Sequence, residues 1–246
     1  MTVTKLASVS EWADRLLGRR RTWSRTEGYM ASKVCLLICA IALFRADKTT
    51  CAELEPSCAK DSPERHGDIG CSYIEDKALP APLKEPLFWH IDRFESNSGA
   101  EAAAGPNSVV FPAHGAWWAM SIEPMIKDHH GGKHVASVAL PPLPPAAKYS
   151  MLVISAYIPA GQTSRVHHHS GVEAFYTVDG EQCLETPTGA HRIPKGRWFA
   201  VPAGVTMRLV ATGSKPRRGF AVIVYDASQA PTTRTEELAS ELVLCR

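Results

Sequence analysis

The chain has 246 residues, 45% hydrophobic and 21% charged, with 27 Lys and Arg against 25 Asp and Glu. That length allows one large domain or two small ones with a sizeable core. The apolar share and a net charge of only +2 exclude a disordered chain. No apolar run approaches the ~18 residues of a membrane-spanning helix, and no basic stripe marks a nucleic-acid surface.

The charge is uneven along the chain. Residues 1–33 carry seven basic and three acidic side chains, and residues 34–44 follow as eleven apolar residues in a row. Such a run is too short to span a bilayer but suits the apolar region of a signal peptide. The small-x-small site Thr50-Cys51-Ala52 follows it. We therefore predict a leader over 1–52, with Met30 as an alternative start, and a secreted or periplasmic mature chain. If 34–44 is instead a buried helix, the chain stays in the cytoplasm. Cleavage after Ala52 leaves 18 basic and 21 acidic residues, a net charge of −3. It also leaves Cys58, Cys71, Cys183 and Cys245, of which Cys58 and Cys71 are closest in sequence. The polar residues 53–84 read as a flexible tether.

From 85 to 228 the pattern is β. Short runs rich in Val, Ile, Phe, Tyr and Trp, punctuated by Gly and Pro, predict strands over 107–112, 115–121, 134–140, 149–158, 172–179, 182–186, 198–201, 206–211 and 219–225. Many short strands at this spacing predict a sandwich or closed barrel. The Pro-rich run from Leu140 to Pro145 is a loop, because proline donates nothing to a strand ladder. Residues 229–246 form a polar tail, with a short amphipathic helix over 236–244.

The chemistry is concentrated in 161–180. Gly161 is followed after five residues by His167-His168-His169, then after three residues by Glu173, and after six more by Gly180. His167 and His169 are two apart on an extended segment, so both imidazoles leave one face. Glu173 follows a Ser-Gly turn that can return its carboxylate to that face. Two imidazoles and a carboxylate suit one divalent transition metal, Fe, Mn, Ni, Cu or Zn.

This segment resembles the first motif of the cupin superfamily at every defining position. After fifteen residues, Gly196 through Pro202, Gly204 and Met207 resembles the second motif, with Met207 where the usual histidine ligand stands and Ala211 where an asparagine is common. The resemblance covers about fifty contiguous residues. It implies an all-β jelly-roll barrel over 85–228, a mononuclear metal at His167, His169 and Glu173, and a homodimer. Met207 is expected to line the pocket as an apolar gap-filler. Without a fourth histidine, three coordination positions stay open, which suits a substrate together with O2 or water.

Other candidates are read as packing or surface. Tyr176 falls on the opposite face of its strand from Glu173, and Arg208 opposite Met207. Cys183 reads as a lone inert thiol, His191-Arg192 as a surface turn, and Trp117, Trp118 and Trp198 as core or interface anchors. His129, His130 and His134, with Asp128, form a second His cluster capable of adventitious metal capture. Two functions remain open: an oxidoreductase of the dioxygenase kind acting on a small organic molecule, or a non-catalytic cupin that binds a small molecule without metal.

Overall fold

The computed structural model describes residues 70–80, 82–124 and 131–245. The leader, residues 53–69 of the tether, and Asp128, His129 and His130 lie outside the described residues. Among the described residues, fourteen strands run in chain order. They are β1 (Gly70–Leu79), β2 (Phe88–Phe94), β3 (Ser108–Ala113), β4 (Ala116–Glu123), β5 (Lys133–Ala139), β6 (Tyr149–Ile158) and β7 (His167–His169). The second half holds β8 (Val172–Asp179), β9 (Glu181–Thr186), β10 (Gly189–Pro194), β11 (Trp198–Val201), β12 (Arg208–Thr212), β13 (Arg217–Asp226) and β14 (Thr232–Arg234).

A five-stranded antiparallel sheet, β1-β6-β13-β8-β11, lies at the centre. Its inner strands are buried on both faces, which is why β6 and β13 read as continuous hydrophobic runs and not as alternations. On β13, Phe220, Val222 and Val224 enter one buried cluster, while Ala221, Ile223 and Tyr225 enter another. The second cluster is closed by Leu184, Ile193, Met207, Leu209 and Ala211 from the sheet β10-β9-β12 and its approach. With the pair β14-β7, these strands wrap the front of the central sheet into a jelly-roll barrel. The first cluster is closed from behind by Trp89, Ile91, Met120, Ile122 and Val138 of a four-stranded sheet, β3-β4-β2-β5. The fold is thus the expected all-β jelly roll, with an added sheet on its back.

Several elements correct the sequence reading. Residues 70–79 of the predicted tether form β1, paired with β6 from Gly70↔Tyr157 to Leu79↔Tyr149. This edge strand is polar, and its exposed face hides the alternation; Asp76 accepts a 2.7 Å hydrogen bond from the Tyr225 hydroxyl. Strands β2 and β10 were also unforeseen. So was helix α1 (Asn97–Ala103), too short to show a period, whose cap Ser96 accepts from the Gly99 amide. The C-terminal helix is a 3-10 helix limited to Glu236–Glu241. The tail is no appendage: β14 pairs with β7, and Cys245 forms a disulfide with Cys183. Cys183 points outward from β9, opposite the barrel-facing Leu184, so it is a bonded half-cystine and not a lone thiol.

Candidate metal centre

β7 and β8 lie at the open front of the barrel and meet through Ser170 and Gly171. Glycine is required at 171 by space, since a Cβ there would sit 2.0 Å from the Val224 carbonyl oxygen. This tight turn returns Glu173 to the histidines. His167, His169 and Glu173 each offer a ligand atom, and these atoms lie within 4.8 Å of one another. His169 and Glu173 are each only 4% exposed, with Nε2 and Oε2 2.9 Å apart. His167 is half-buried and so marks the solvent side.

The rings are oriented from behind. His167 Nδ1 lies 2.7 Å from the Arg165 carbonyl, and His169 Nδ1 lies 2.9 Å from the Pro231 carbonyl. A carbonyl can only accept, so each Nδ1 carries the hydrogen, which leaves Nε2 as the atom whose lone pair can ligate once the imidazole is neutral. That is the tautomer a metal-ligating imidazole needs, fixed by the outer hydrogen bond. The Pro231 contact comes from the approach to β14, so the C-terminal tail holds one of the two rings.

Charge distinguishes the two histidines. Burial holds His167 below its usual range, helped by the neighbouring His169. Burial also lowers His169, but the Glu173 charge and hydrogen bond, with the Pro231 carbonyl, outweigh it and leave the pKa raised. A buried imidazole and carboxylate whose facing atoms find no other partner form a donor set that can hold a divalent cation.

The remaining sequence candidates separate clearly. Met207 is 1% exposed and joins the front cluster, and its backbone exchanges two hydrogen bonds with His167, at 2.8 and 3.0 Å. Tyr176 faces the back cluster. Arg208 turns outward to Glu185 at 2.6 Å, and Arg192 pairs with Glu181. His191 stacks on Phe199 at 4.1 Å, which departs from the surface reading. Trp118 is core, whereas Trp198 is 45% exposed. His134 pairs with Asp92, a carboxylate 42 residues away that the loop sequence did not suggest.

Sequence reasoning missed two polar groups inside the barrel. Arg217 is fully buried, on the same side of β13 as Gly219 and Ala221. A Cβ at Gly219 would lie 2.7 Å from its Nη2, so the guanidinium runs along the strand over this glycine. Burial pushes Arg217 down to about 9, opposed by the Glu173 charge, so it remains cationic at neutral pH. Its Nε has no hydrogen-bond partner, and Nη2 reaches only the Phe220 carbonyl, at 3.5 Å. Gln182, which faces inward beside Leu184, leaves both amide atoms unpartnered. An Arg at the start of an apolar strand is the only sequence signal.

No family model matches the chain, and no curated protein matches it. Solved structures do. A cupin-like protein from Thermotoga maritima is 15% identical over 35% of this chain and 64% of its own, with a TM-score of 0.33. A cupin 2 domain-containing protein from Halorhodospira halophila is 16% identical over 37% of this chain and 63% of its own, with a TM-score of 0.33. A DMSP lyase from Ruegeria pomeroyi is 21% identical over 35% of this chain and 43% of its own, with a TM-score of 0.32. The match therefore spans less than two thirds of each of these chains.

Proposed function

We propose that this protein is an exported, mononuclear metal-binding cupin acting on a small organic molecule, with oxidoreductase chemistry of the dioxygenase kind. The reading is carried by three convergent ligand atoms within 4.8 Å, two of them on imidazoles whose Nδ1–H groups are already anchored. His167, His169 and Glu173 would hold one Fe, Mn, Ni, Cu or Zn ion, and Met207 lines the pocket beside them. Such an ion supplies a Lewis acid or a redox centre. The chain's own residues do the rest. Glu173 balances charge, the Arg165 and Pro231 carbonyls hold the rings, and the apolar front cluster excludes water.

Arg217 supports an acidic ligand. A buried guanidinium lacking any carboxylate partner among the described residues is costly until an anion reaches it. The same observation favours the second reading, a metal-free cupin that captures a small acid. Export is supported by the Cys183–Cys245 disulfide, which suits an oxidising compartment. Elemental analysis of protein purified without a His tag decides between the readings. Near-stoichiometric metal, lost in His167→Ala and His169→Ala variants that stay folded, is the expected result. Less than about a tenth of a metal atom per chain, with no rise in melting temperature on adding any of the five ions, would sink the metal-dependent reading.

A further inference from the structure

The back sheet carries a second cluster of reactive side chains, on the face turned away from the barrel. His90 and Asp92 alternate on β2 with Trp89 and Ile91 of the back cluster, so both project from the outer face. Asp92 lies opposite His134 on β5, and His90 lies opposite Ser137. In a regular strand residues 134 and 137 would face opposite ways, being an odd number apart. A bulge changes this. The ladder steps from Ile91↔Ala136 to Asp92↔His134, leaving Val135 as the extra residue. The bulge thus brings His134 to the same face as Ser137, the re-aiming that such irregularities provide beside functional sites.

The resulting distances form a relay. Asp92 Oδ1 is 2.8 Å from His134 Nδ1, His134 Nε2 is 2.9 Å from Ser137 Oγ, and His90 Nδ1 is 2.9 Å from that same oxygen. One proton arrangement satisfies all three contacts. His134 Nδ1–H donates to the Asp92 carboxylate, the Ser137 hydroxyl donates to His134 Nε2, and His90 Nδ1–H donates to Ser137 Oγ. The carboxylate is 2% exposed, while the His134 side chain is 38% exposed and Ser137 half-buried, so the carboxylate end of the relay is protected and the hydroxyl end can be reached.

We propose that Asp92, His134 and Ser137 form an acyl-transfer centre for small esters, independent of the metal centre. Ser137 Oγ attacks the acyl carbon as His134 Nε2 takes the hydroxyl proton. The C–O bond to the leaving group then breaks, and the departing oxygen receives that proton from His134. Water, deprotonated by the same imidazole, cleaves the acyl-serine and restores the hydroxyl. Asp92 is a positioning residue that holds the His134 tautomer, and His90, donating to Ser137 Oγ, orients the hydroxyl towards His134 Nε2.

The test uses the full chain and a fluorophosphonate, in which a P–O bond to Ser137 forms, the P–F bond breaks and fluoride leaves. Peptide mass spectrometry should find one adduct on Ser137 in the wild type and none in Ser137→Ala. Hydrolysis of 4-nitrophenyl acetate should fall at least ~100-fold in Ser137→Ala and His134→Gln. Asp92→Asn should lower kcat with little change in KM, a split that a packing role would not produce. EDTA should alter neither labelling nor hydrolysis, which separates this centre from the metal site. A folded wild type without an adduct on Ser137, or a Ser137→Ala variant keeping more than about a tenth of the hydrolysis rate, overturns the proposal.

Discussion

Replacing Gly171 with alanine tests the link between the barrel wall and the candidate metal centre. No positive φ constrains this residue, so the effect is purely one of space. The new Cβ would lie 2.0 Å from the Val224 oxygen and 2.5 Å from the Tyr225 Cα, against a practical minimum of 3.0 Å. Either β13 or the β7–β8 turn must therefore move by about 1 Å. β13 sits between β6 and β8, with Val222, Ile223 and Val224 at most 1% exposed, so the turn yields. Overpacking of this kind costs about 3 kcal/mol, the upper end of its usual range. For a chain of this size that lowers the melting temperature by roughly 6–12 °C. Because the turn carries His169 on one side and Glu173 on the other, metal content should fall as well. Gly189→Ala is the control, since its nearest neighbour would be 3.6 Å away, an ordinary contact. Thermal unfolding and elemental analysis of the three proteins provide the readout. A Gly171→Ala protein that melts within about 2 °C of wild type and keeps its metal would refute this account of the turn.

Three further outcomes follow from the same geometry. Met207→Leu conserves volume in the front cluster, so it should cost less than about 1.5 kcal/mol and leave metal content unchanged; loss of metal would identify the thioether as a ligand. Cys245→Ser opens a loop of 62 residues, and urea titration should show about 2–4 kcal/mol less stability, with an unchanged midpoint counting against the bond. The third concerns pH in metal-free protein. The folded His169 pKa is raised, so its stabilisation is complete below the unfolded value of 6.5 and is lost as pH rises through the folded value. His167, whose pKa is lowered mainly by burial and further by His169, contributes with the opposite sign, and the burial part is kept in the variant. The gap in melting temperature between wild type and His169→Gln should therefore be widest below the unfolded value and narrow as pH rises through the folded one. A constant gap would show that the Glu173 pairing does not stabilise the fold.

What could be read from the sequence depended on how local each signal was. The central strands announced themselves because both faces are buried: β6 and β13 are long apolar runs with no alternative use. β1 is equally well paired, yet Cys71 through Lys77 is mostly polar because one face of an edge strand meets water. β14 has no apolar alternation at all. It exists because Thr232, Thr233 and Arg234 find a ladder on β7, a partner more than sixty residues away. Pairings of that kind are a property of the folded barrel and leave no periodicity behind.

The two chemical clusters show the same divide more sharply. His167, His169 and Glu173 are legible because a single turn, with a glycine where no Cβ fits, brings ligands six residues apart onto one face. The spacing in the chain is the spacing in the site. Asp92, His134 and Ser137 could not be found that way. Asp92 is 42 residues from His134, and the parity of 134 and 137 argues for opposite faces until the Val135 bulge reverses it. Arg217 was hidden for a third reason: it opens an otherwise apolar strand, and only the burial of its guanidinium with an unpartnered Nε marks it as more than packing. Motif spacing therefore locates chemistry held by a turn, whereas chemistry held by strand register emerges only when the register, including its irregularities, is known.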